Sequence, residues 1–120
     1  FTMTQLARLR TSADFRRVRE TGTFWRGRKI SLNAARRSDA DGLLSRVGLI
    51  ATKRVGGAVQ RNRARRLMRE ALRSLMPRVM TDWDLVFIAQ PGLLAGKAGL
   101  LDAQGEVAWL LNKARAILPG

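Results

Sequence analysis

For bond-breaking chemistry the chain offers nine carboxylates, no histidine and no cysteine, whereas 23 lysines and arginines stand ready to hold anions. A metal-dependent nuclease needs carboxylates that converge on its ions. Two acidic pairs are closely spaced, Asp39 with Asp41 and Asp82 with Asp84. Both pairs fall in expected turns, where Asp commonly satisfies backbone N–H groups, so neither reads as a metal site. Without His there is no imidazole base and no Ser–His–Asp triad, and without Cys there is no thiolate nucleophile, thiolate metal site or disulfide. No lysine has an activating neighbourhood, and the phosphate-loop pattern G-x-x-x-x-G-K-[ST] does not occur, which argues against nucleoside triphosphate binding. We expect no catalytic residue.

The cations carry the stronger signal. A net charge of +14 repels itself and costs stability unless a polyanion compensates. Arginine outnumbers lysine 19 to 4, which favours bidentate contact with phosphate and stacking on bases. Residues 1–78 hold 20 basic and 5 acidic side chains, while 79–120 hold 3 and 4, so the basic surface belongs to the first two thirds. From Lys53 to Arg73 there are eight basic side chains and only Glu70 to offset them. A merely solvated helix face mixes signs to form i,i+4 pairs, and this one does not. Gly56 and Gly57 precede it, where a glycine backbone and a helix N-terminus both suit phosphate. Nucleic acid is the expected partner. A membrane surface ranks well below it, because basic membrane anchors usually bring exposed large apolar residues.

The elements that must position these groups follow from periodicity. A chain of 120 residues suggests one domain, here 1–120 with residues 1–7 expected to lack fixed structure. A helix is expected near 12–20, with Thr11, Ser12 and Asp14 as a capping cluster and Phe15 and Val18 on one face. Periodicity alone does not settle whether Phe15 turns to the core with Val18. Residues 28–37 alternate as a half-buried strand, with Ile30, Leu32 and Ala34 on one side, and Phe24 and Trp25 are expected to begin it. A turn at 38–42 and a strand at 46–52 come next. A long helix follows Gly57, with Ala64, Leu67, Met68, Ala71, Leu72 and Leu75 inward and Asn62, Arg65, Arg66, Arg69 and Arg73 outward, flanked by Arg61 and Arg63. Pro77 should stop it. An apolar strand from Asp84 to Gln90 and a last helix from about Asp102, burying Val107, Leu110, Leu111, Ala114 and Leu118, complete the chain. No apolar run approaches the roughly 18–20 residues of a membrane span, and the start lacks a signal-peptide core, so a soluble, cytoplasmic protein is expected.

The run Lys53-Arg54-Val55-Gly56-Gly57-Ala58-Val59-Gln60-Arg61-Asn62-Arg63-Ala64-Arg65-Arg66-Leu67-Met68-Arg69-Glu70 closely resembles the signature of the bacterial ribonuclease P protein component. The resemblance extends through Arg8-Leu9-Arg10, Asp14-Phe15, Gly22-Thr23, Arg46-Val47-Gly48-Leu49 and the strand from Leu85 to Ala89, nearly the whole chain. It implies an α+β single-domain α-β-β-β-α-β-α sandwich, similar to a domain of a small-subunit ribosomal protein, with a four-stranded sheet. It also implies a left-handed βαβ crossover, against the usual right-handed preference.

For function, the resemblance implies that a ribonuclease P RNA subunit cleaves precursor tRNA at the mature 5′ end with bound magnesium, held mainly by RNA and substrate. The protein would be inactive alone. Lys53, Arg54, Arg61, Asn62, Arg63, Arg65, Arg66 and Arg69 would meet the RNA subunit, and Phe15, Arg19 and Asn33 would meet the 5′ leader, with no DNA partner expected. The chain departs from the family at Arg19 and Asn33, where aromatics are common, and at Gly57, where Asn is common. Arg19 would then stack by its guanidinium plane and Asn33 would hydrogen-bond a base, with Phe24 and Trp25 as further candidates. A protein-only nuclease and a ribosomal or assembly protein are the rival classes. The missing acid cluster argues against the first, and the Arg61-Asn62-Arg63 signature against the second.

Overall fold

The computed structural model describes residues 7–9, 11–37, 45–94 and 99–118. Helix α1, Ser12–Thr21, is capped by Thr11, whose Oγ1 accepts from the Asp14 N–H at 3.1 Å. Strands β2, Thr23–Arg26, and β3, Ile30–Arg36, form an antiparallel hairpin, with Phe24 opposite Asn33 and Trp25 opposite Leu32. Phe24 and Trp25 therefore belong to a strand of their own, since the chain reverses at 27–29. Strand β4, Arg46–Ala51, leads through helix α2, Ala58–Arg73, to β5, Trp83–Ala89, and the two strands pair in parallel. Helix α3, Leu100–Ala114, closes the order. A two-residue strand β1, Ala7–Arg8, pairs in parallel with β4.

The expected α-β-β-β-α-β-α order is present, with four strands as the body of the sheet and β1 extending its edge in the order β1-β4-β5-β3-β2. Ala7, expected to be unstructured with residues 1–6, opens β1, while 1–6 lie outside the described residues. The turn at 38–42, with Asp39 and Asp41, also lies outside them.

Alternation along the strands builds two unequal faces. Ile30, Leu32 and Ala34, Val47 and Ala51, and Leu85, Phe87 and Ala89 are buried on one face. Helix α2 covers them with Ala64, Met68, Ala71 and Leu72, as its periodicity requires, with Leu67 and Leu75 at the margin, and α3 adds Ala103, Val107, Leu110 and Leu111. The helix ends at Arg73, and Pro77, which has no N–H to continue it, sits in a 3-10 turn, Met76–Arg78. The other face carries a smaller cluster of Leu9, Val18, Ala35 and Val86, with Phe15, Ile50 and Ile88 partly buried against it.

Leu118 corrects the sequence reading. It is 47% exposed, because α3 stops at Ala114 and Arg115 adopts a left-handed conformation at φ 61°. The reversal buries Ile117 instead, bridged to Val79, and the Leu118 carbonyl accepts from Arg78 Nη2 at 3.1 Å.

Candidate nucleic-acid interface

The basic surface is organised by α2 and the turn before it. Lys53 and Arg54 are exposed on that turn, and Gly56 takes φ 145°, a conformation side chains resist. Gly57 caps the helix without a side-chain hydrogen bond, and no acid lies in the first turn. Asn62, Arg63, Arg66 and Arg73 are exposed, whereas Arg61, Arg65 and Arg69 are half-buried, so the expected outward row lies partly along the protein on its aliphatic stems. Arg65 Nη2 donates to Asn62 Oδ1 at 2.5 Å. Arg73 pairs with Glu70 at 3.3 Å. Among the described residues no carboxylate lies within ion-pair reach of Arg61, Arg63, Arg65, Arg66 or Arg69, and the Arg61 Nε–H is buried without an acceptor. An unpaired donor of this kind is costly until something anionic meets it.

The second surface is the sheet face that α1 covers only in part. Across it one row runs through four strands, Phe24 on β2, Asn33 on β3, Val86 on β5 and Gly48 on β4. Phe15 sits over one end of this row. A Cβ at Gly48 would stand 2.4 Å from Phe15 Cε1, so only glycine leaves the ring its seat. Phe15 is thus half-buried, packed against the smaller cluster and seated over Gly48. Phe24, 50% exposed, stands at the far end. Trp25 points to the opposite face and packs against the main core, so of the two aromatics only Phe24 faces this surface. Asn33 is half-buried between, and exposed Arg19 lies one turn after Phe15 on α1. The structure therefore gathers Phe15 and Asn33 on one face, across the sheet from α2.

Sequence reasoning passed over Ile50 and Ile88. Both are apolar on the face away from the core, yet only half-buried. Apolar residues on both sides of a strand usually mean cover on both sides, and cover that is missing is a signal of binding.

Asp84, paired with Asp82 in the sequence reading, has a different occupation. It is fully buried, bonded to Arg17, and its two oxygens accept from Arg46 Nε at 2.8 Å and Nη2 at 2.7 Å. Asp14 lies 3.8 Å from the same Arg46. This network fastens α1 to the sheet end. Asp82 holds a left-handed turn at φ 72°.

The architecture defines a class of small α+β protein, with a mixed sheet closed on one face by an arginine-rich helix and half-open on the other. The chain belongs to the ribonuclease P family, whose model, described as Ribonuclease P, matches residues 3–115. It is 42% identical over 115 residues to the ribonuclease P protein component of Roseiflexus castenholzii, covering 96% of this chain and 91% of that one. The Roseiflexus sp. protein component is 46% identical over 93 residues, covering 78% and 74%. In fold the chain matches the RNase P protein of Staphylococcus aureus with a TM-score of 0.78 at 24% identity, covering 92% of this chain and 96% of that one. The Thermotoga maritima RNase P protein gives 0.77 at 21%, covering 88% and 96%. Family membership places the chain among the protein components of an RNA-processing enzyme. Among the described residues no helix is long and apolar enough to cross a membrane.

Proposed function

We propose that this protein binds the ribonuclease P RNA subunit through Lys53, Arg54, Arg61, Asn62, Arg63, Arg65, Arg66 and Arg69, and receives the 5′ leader of precursor tRNA on the open sheet face. The observation that carries this reading is the pair of surfaces on opposite sides of one sheet, one rich in guanidinium groups that mostly lack a carboxylate partner among the described residues, the other apolar and aromatic. Arginines without internal partners gain most from phosphate, through charge-assisted hydrogen bonds and counterion release. The open face suits unpaired bases, since stacking on an aromatic ring is worth roughly 1–3 kcal/mol and tolerates any sequence. Phe15 and Phe24 supply rings at the two ends of the row, Asn33 a hydrogen-bonding group between them, and Arg19 a guanidinium beside Phe15.

Cleavage belongs to the RNA in this proposal, and the protein raises the affinity for substrates that carry a leader. Magnesium assists the RNA chemistry. In this reading the ion is held mainly by the RNA subunit and the substrate. The setting is the cytoplasm, where precursor tRNA is made.

The test is reconstitution with a ribonuclease P RNA and precursor tRNA at low magnesium. RNA with protein should cleave at the mature 5′ end faster than RNA alone, and protein alone should not cleave. Cleavage by the protein at the rate of the complex would place the chemistry in this chain instead.

A further inference from the structure

Beyond both surfaces, a cavity of about 560 Å³ opens at the end of the β2–β3 hairpin, lined by Arg26, Gly27, Arg28, Gln90, Glu106 and Trp109. Ligand pockets run from roughly 300 to 1,000 Å³, so one nucleotide is within its capacity. The site is braced. Glu106 Oε1 accepts from the Lys29 backbone N–H at 2.8 Å, and Lys29 Nζ reaches Asp102 Oδ2 at 3.2 Å, which ties the hairpin turn to α3. A Cβ at Gly27 would stand 2.2 Å from the Ile30 carbonyl oxygen and 2.3 Å from that same Glu106 oxygen, so the turn approaches this closely only as glycine. Trp109 is 46% exposed, and Lys113 Nζ lies 5.5 Å from its ring centroid, steadying the indole.

The lining brings an aromatic residue, two arginines and an acceptor-only carboxylate to one cavity. Their chemistry selects among bases. With about four lone-pair sites, one of them taken by the Lys29 N–H, the Glu106 carboxylate can still take two neighbouring donors, and guanine presents them as N1–H and the N2 amino group, while adenine, cytosine and uracil set a donor beside an acceptor. We propose that this cavity is a guanosine-selective subsite for single-stranded RNA, with the base on Trp109 and Glu106 and the phosphate on Arg26 and Arg28. The subsite adjoins the open face. Arg26 pairs with Ser31, Gln90 Nε2 donates to Ser31 Oγ at 2.8 Å, and Ser31 shares its face with Asn33. A strand crossing Phe24 and Asn33 would have to pass Arg26 round the hairpin end to enter the cavity, and its placement on a leader rests on the function proposed above.

Two experiments separate the subsite from that reading. The first titrates the full chain with guanosine 5′-monophosphate, adenosine 5′-monophosphate and inorganic phosphate, following the indole N–H resonances of Trp25, Trp83 and Trp109. The guanosine nucleotide should move the Trp109 signal and bind about tenfold more tightly than the adenosine one, as a good bidentate base contact discriminates. Glu106→Gln keeps an oxygen for the Lys29 N–H but replaces the second acceptor with a donor, and should bring the two nucleotides level. Trp109→Ala should weaken both. Equal binding of both nucleotides, or a guanosine preference that survives Glu106→Gln, overturns the assignment.

The second experiment uses the complex reconstituted with ribonuclease P RNA, and walks one guanosine through an otherwise adenosine leader. One position should bind about tenfold more tightly, and Glu106→Gln should abolish that preference. If precursor and mature tRNA bind equally well, the leader reading fails and the first experiment still decides the cavity. If the leader adds affinity but no position favours guanosine, the leader reading stands and the subsite on it is overturned.

Discussion

Under α2 and α3, the sheet residues Ile30, Leu32, Leu85 and Phe87 are buried to 1% exposure or less, while across the same strands Ile50 and Ile88 remain half-buried beside α1. The two faces share strands and differ in what holds them. The first is closed by apolar burial and puts its charge outside, on α2. The second leaves apolar sheet open, and its helix is fastened to the end of the sheet by the buried Asp84 between Arg17 and Arg46. A face left partly uncovered gains less from apolar burial, and an ion-pair network at its margin holds its helix instead. Stability and RNA contact should then be separable by substitution.

The largest effect should come from the closed face. Phe87→Ala removes a fully buried ring, and should cost about 3–5 kcal/mol of folding stability in urea titration, taking both RNA interactions with it. Asp84→Asn should cost about 3 kcal/mol, near the lower end for a broken buried pair, because Arg17 and Arg46 keep side-chain exposures of 33% and 24% and reach water. A melting temperature left unchanged by Asp84→Asn would show that α1 is held by packing alone. On the open face, Phe24→Ala should leave thermal unfolding nearly unmoved, since the ring is 50% exposed, yet reduce the preference for precursor over mature tRNA by about 1–3 kcal/mol. Phe15→Ala should show the same preference loss with some loss of stability, and equal losses for both tRNAs would remove it from the leader surface. The smallest change in stability belongs to α2. Replacing Arg65 and Arg69 by Ala should spare the fold by circular dichroism and lower the slope of log affinity against log salt, for the RNA subunit, by on the order of 1.5. A slope that stays put would mark that face as merely solvated.

The closed face was readable in the sequence because its signals are local. Apolar recurrence every three to four residues from Ala64 to Leu75, and alternation at Ile30, Leu32 and Ala34, report burial without knowledge of the partner. The open face was harder. Phe24 and Trp25 are neighbours whose sides are opposite by strand geometry, but which side meets the core depends on pairing with β3. Asp84 looked like half of a turn pair with Asp82, and its partner Arg17 is 67 residues away. Strand β1 has two residues, too few for any period. The cavity at Trp109 joins a hairpin turn to a helix some 80 positions later, and only the fold brings them together.

The place of β5 has a consequence for how the chain is made. It lies between β3 and β4, which do not pair with each other, so neither has its central partner until residues 83–89 have emerged. Synthesis runs at about 5–20 residues per second, which puts the arginine helix outside the ribosome seconds before the strand that completes its seat. During that interval the most basic stretch of the molecule faces a cell full of RNA without a finished fold beneath it. On the proposed function, RNA could therefore meet the arginine helix before the sheet beneath it has closed.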